Sequence, residues 1–114
     1  MRLSLEKNLK IINEIVTYFK KLGNQKIHID FDSDNDKSSF IISGNIPNIT
    51  NENLLELDKK LNSPRQPEVE EYYWQLSGES QLDCELTLIG MMIDTAKVEY
   101  TDGILTVELT RNEK

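Results

Sequence analysis

The chain has 114 residues, 38% of them hydrophobic and 29% charged, a formal net charge of −7, and one Cys, one His and one Trp. That length implies one domain over 1–114, able to bury about two-thirds of its unfolded surface in a single core. One cysteine excludes an internal disulfide framework. No apolar run approaches the ~20 residues of a membrane span, and the charged start MRLSLEKNLK lacks a signal-peptide core, so a cytoplasmic protein with no membrane role is expected.

Charge is uneven. Residues 1–26 carry six basic and two acidic side chains, +4, whereas residues 27–114 carry seven basic and eighteen acidic, −11. Affinity for a phosphate backbone comes mainly from Lys and Arg, so the acidic body argues against nucleic acid, and the basic first segment is expected to lie on its own acidic sheet.

Residues 4–22 have the periodicity of a helix, with Ser4 as N-cap, Glu6 in the first turn, Lys20 and Lys21 in the last, and Gly23-Asn24 as the stop. Its apolar residues form two adjoining stripes: Leu5, Leu9, Ile12, Val16 and Phe19, then Ile11, Ile15, Tyr18 and Leu22. At ~100° per residue they sweep roughly 180°, interrupted only by Asn8. A helix lying on one sheet needs a stripe only somewhat wider than ~100°. A second surface should cover the surplus: either the short helix over 51–62, through Leu54, Leu57 and Leu61, or the same helix of a second copy.

In residues 26–32 Ile27, Ile29 and Phe31 alternate with His28, Asp30 and Asp32, the pattern of a half-buried strand. Turn chemistry at 33–37 returns the chain into a second strand over 38–45. Thr50 or Asn51 should cap a short helix carrying Leu54, Leu57 and Leu61, ended before Pro64. Beyond it the pattern reads as strand: 69–76 with Tyr72, Trp74 and Leu76 on one face, a turn at 78–80, then Leu82, Cys84, Leu86 and Leu88 in alternation, with Gly90 as a bulge or bend.

Asp102-Gly103 favours a two-residue type I′ turn. Counting back from it pairs Tyr100 with Leu105, Val98 with Val107 and Ala96 with Leu109 on one face, and Lys97 with Glu108 and Glu99 with Thr106 on the other. The stretch Ile93–Arg111 is similar to the closing hairpin of small heat-shock-protein domains over about a sixth of the chain. A helix near 51–62 has no place in that all-β domain, and no chaperone function is carried over. The expected fold is α+β in two layers: an antiparallel sheet of about six strands, a long N-terminal helix and a short second helix, in the order α-β-β-α-β-β-β-β.

Candidate chemistry is sparse. Asp30, Asp32, Asp34 and Asp36 offer oxygen ligands at every second position, but the glycine and glutamate of a calcium loop are missing from their places, which hold Asn35 and Ile41. A solvated turn is the expected role, with Asp32, Asp34 and Asp36 as the candidates for a weak cation site. His28 shares a strand face with Asp30, a pairing that could serve base catalysis. Cys84 sits in an apolar register, and no phosphate loop, nucleophile elbow or paired-Cys motif occurs, so no cofactor is expected.

The function these residues favour is a small non-catalytic interaction or regulatory module. Its partner is another protein or a second copy joined through helix 4–22, with Phe19, Ile15, Tyr18, Tyr73 and Trp74 as candidate contact or ligand residues. The alternatives are a small-ligand pocket near Trp74 and Tyr72, and an enzyme using His28 and Asp30.

Overall fold

The computed structural model describes residues 2–66, 68 and 86–113, with side chains from Leu5 onward. In chain order the elements are α1 (Arg2–Lys21), β1 (Ile27–Ser33), β2 (Lys37–Asn45), α2 (Asn51–Leu61), α3 (Leu86–Met92), β3 (Thr95–Thr101) and β4 (Ile104–Asn112). The four strands form one antiparallel sheet in the order β1-β2-β4-β3. The class is α+β, as the patterning implies.

Among the described residues the sheet has four strands rather than six, and Leu86 and Leu88, expected in a strand, open the helix α3. Five of its seven residues are buried, including Leu86, Leu88 and Ile89, and a short apolar run buried on several sides carries no period by which helix and strand can be told apart. The strand expected over 69–76, the turn at 78–80, and residues Tyr72, Tyr73, Trp74 and Cys84 lie outside the described residues.

α1 starts at Arg2, so Ser4 stands inside the helix and not at its cap. Its far end is a Schellman motif. Gly23, at φ +92°, donates its N–H to the Lys20 carbonyl (3.0 Å), and the Asn24 N–H reaches the Phe19 carbonyl (3.1 Å). α2 is capped by Thr50, whose hydroxyl accepts from the Asn53 N–H at 3.1 Å.

Of the described helices, α1 and α2 cover one face of the sheet. α1 packs on β2, α2 on β3, and α3 touches both helices. The covered face carries Phe40 and Ile42 of β2 opposite Leu109 and Val107 of β4. Ile11, Ile15 and Phe19 descend on them from α1, all fully buried, and burial of side chains of this size stabilises by roughly 1.5–3 kcal/mol each. The hairpin β3–β4 has the register expected from its turn, with Lys97 opposite Glu108 and Val98 opposite Val107. No helix among the described residues is long and apolar enough to cross a membrane.

Candidate interaction surface

α1 lies along β2 and runs in the same direction. Near the start of β2 the Asn8 Nδ2 donates to the Ser38 Oγ at 3.0 Å, and at its end the Asn24 Nδ2 donates to the Asn45 carbonyl at 3.1 Å. Asn8, the one polar break in the apolar arc, is buried. It also donates to the Glu113 carboxylate at 3.0 Å. That carboxylate accepts a short hydrogen bond from Ser38, whose Oγ is 2.7 Å from the Ser33 Oγ. The Arg111 guanidinium approaches Glu113 to 3.5 Å and donates to the Met92 carbonyl at 2.6 Å. A buried polar side chain is tolerated where it finds such partners, so Asn8 anchors the helix at a fixed position on the sheet.

This anchoring decides which flank of α1 is covered. In the β1–β2 hairpin the Asp34 N–H bonds the Lys37 carbonyl, so pairs from Ser33↔Ser38 onward alternate, and Ile27, Ile29 and Phe31 turn their backbone groups away from β2. With L-residues that alternation fixes the hand of the sheet. A right-handed helix parallel to β2 then turns Leu5, Leu9, Ile12 and Val16 towards β1, and Lys7, Lys10 and Glu14 towards the middle of the sheet. The middle flank is covered: Lys7 and Glu14 are buried, and Lys10 pairs with Glu14 at 3.0 Å. The β1 flank is not. Leu5 is 53% exposed and Leu9 50%, and Ile29, on the helix-bearing face of the edge strand, is 45% exposed.

The residues singled out from sequence fall in different places. Ile15 and Phe19 are fully buried core residues rather than surface contacts, because they point straight down at β2. Tyr18 is half-buried against the core. Tyr73 and Trp74 are outside the described residues. The exposed members of the arc, Leu5 and Leu9, stood in the sequence pattern as ordinary stripe residues. Only the surplus width of the arc pointed to them, and which flank it would leave bare depended on where Asn8 docks.

The opposite face of the sheet holds the polar candidates. His28 and Asp30 are exposed there, opposite Ser43 and Ile41, and no hydrogen bond joins them. A shallow cleft of about 200 Å³ is lined by Lys26, His28, Ser43, Asn45 and Ile104, and a neighbouring one of about 350 Å³ by Gly23, Gln25, Lys26, Asn45 and Pro47. Asp32, Asp34 and Asp36 do not converge on a point: among the described residues no three His, Cys, Asp or Glu side chains are placed to hold a metal ion. The Asp34 carboxylate closes the turn, accepting from the N–H groups of Asp36 (2.8 Å) and Lys37 (2.9 Å), which hold its pKa below the ordinary aspartate value. No protein-family model matches the chain, and no curated protein matches it.

Proposed function

We propose that the chain is a small, non-catalytic, cytosolic interaction module that associates with a second copy of itself through the β1-facing flank of α1. The observation that carries this reading is the bare side of that helix. Exposed leucines scattered singly are ordinary on a protein surface, but Leu5 and Leu9 lie one helical turn apart on the flank that turns towards β1, Ile29 lies further along that side on the edge strand, and all three are at least 45% exposed. Ile12 and Val16 continue the same flank, half-buried. Contiguous apolar surface of this kind marks contact sites, and a homodimer presents the same patch from both sides.

Sedimentation equilibrium tests the reading. The wild-type protein is expected to show a concentration-dependent monomer–dimer equilibrium, and Leu9→Asp, checked by circular dichroism for intact folding, is expected to abolish it. A wild type that stays monomeric to about 100 µM, where even ~5.5 kcal/mol of association would register, overturns it.

A further inference from the structure

Resting on that dimer reading, we infer how the two copies join: by antiparallel edge-to-edge pairing of β1 with β1, in a register centred on Ile29. Among the described strands β1 is an outer one. Its seven residues contain no proline, and Ile27, Ile29 and Phe31 point their N–H and C=O groups at the open side. Edges of this length are normally blunted or covered, because unpaired backbone groups recruit another strand.

The sequence of the strand is complementary to its own reverse. When Ile29 faces Ile29 of the second copy, Ile27 faces Phe31, His28 faces Asp30 and Lys26 faces Asp32. The Ile29 meeting lies on the two-fold axis and occurs once; each of the others occurs twice. The two hydrophobic meetings fall on the helix-bearing face, on the side towards which Ile12 and Val16 of α1 turn. The polar ones fall on the opposite face, where Lys26 and Asp32 are set directly across from each other; opposed charges of unlike sign stabilise a strand pair and like charges oppose it. The same parity makes Ile29 a hydrogen-bonding pair with itself, since its backbone groups already face outward. Neighbouring registers are worse. Centring on Asp30 sets that carboxylate against its copy, and centring on His28 leaves Asp32 with no partner.

Within one chain these side chains are unengaged. Among the described residues no hydrogen bond or ion pair holds the side chain of Lys26, His28, Asp30 or Asp32. The other outer strand differs on both counts: α2 packs over β3, and its outward charges Lys97 and Glu99 already pair with each other at 3.2 Å. β1 alone among the two edges has both an uncovered apolar side and unspent charges.

Charge reversal with rescue tests the register. Lys26 and Asp32 stand six residues apart, ~20 Å along the strand, so they can meet only across the two-fold axis. By sedimentation equilibrium, Lys26→Asp and Asp32→Lys should each weaken the dimer about tenfold, and the double variant should recover to within about threefold of wild type. A double variant no tighter than the weaker single overturns the register. Hydrogen exchange on the unaltered protein supplies a second measurement: the amides of Ile27, Ile29 and Phe31 should gain protection as protein concentration rises. If they stay unprotected in a protein that sediments as a dimer sensitive to Leu9→Asp, the strand joint fails while the α1 contact stands. A monomer under all conditions removes both.

Discussion

Gly90 in α3 sits against the main chain at the end of α2 so closely that a Cβ there would come within 2.1 Å of the Lys60 carbonyl oxygen. From sequence this glycine reads as a bulge in a strand; in the structure it is the point where two helices touch backbone to backbone. Gly90→Ala should improve intrinsic helix propensity by ~1 kcal/mol and yet lower stability. Backbone cannot yield as a side-chain end can, and forced overpacking typically costs about 1–3 kcal/mol. Urea denaturation should show a net loss, with Thr87→Ala on the exposed side of the same helix close to neutral. Equal midpoints for Gly90→Ala and wild type would show that α2 and α3 separate freely.

Asn8→Leu completes the apolar arc of α1 on paper and should destabilise the protein in practice. It removes the amide that donates to both Ser38 and Glu113, leaving a buried carboxylate with fewer donors. The expected loss is about 1–3 kcal/mol, read from chemical denaturation. A variant more stable than wild type would instead mean that the buried carboxylate is satisfied by Ser38 and Arg111 alone.

Asp34 gives a pH-dependent contribution of known sign. Its carboxylate is stabilised in the folded state by the backbone N–H groups of Asp36 and Lys37, so its folded pKa lies below the unfolded one, near 3.8. The ionised form contributes stability that is fully present above the unfolded value and disappears as the pH falls through the folded one. Thermal melts of wild type and Asp34→Ala should therefore differ at neutral pH, and the difference should shrink as the pH falls below the ordinary aspartate value. A gap independent of pH would assign the effect to the turn backbone instead.

Stability and association should separate along α1. Phe19→Ala empties a fully buried site and is expected to cost about 3–5 kcal/mol. Leu9→Ala, on a residue half exposed, should cost less than about 1.5 kcal/mol while weakening self-association. Denaturation and sedimentation of the same two variants provide the comparison, and a Leu9→Ala protein as unstable as Phe19→Ala would place Leu9 in the core.

What could be read from sequence was whatever local chemistry determines unaided. The β3–β4 hairpin was legible to the residue because the Asp102-Gly103 turn, the alternation and the Lys97–Glu108 pair all demand one register. The two strands of the β1–β2 hairpin were equally plain. Leu86–Met92 was not, since Leu86 and Leu88 continue a period of two from Leu82 and only tertiary burial makes the segment helical. The contact flank was half legible. Counting apolar positions showed that α1 has more greasy surface than one sheet covers, but the pattern ranked Phe19 and Ile15 with Leu9. Separating them required knowing that Asn8 locks onto Ser38 and Glu113, a partnership spanning 105 residues.

β4, the last of the described strands in chain order, occupies the middle of the sheet between β2 and β3. Before β4 emerges during synthesis, β1 and β2 pair as a two-stranded ribbon, which is marginal in water, and the margin of β2 that receives β4 stays open. A newborn chain therefore displays two unpaired strand margins where the finished one displays β1 alone on that side. The step that completes the domain is also the step that withdraws its most adhesive margin from other nascent chains.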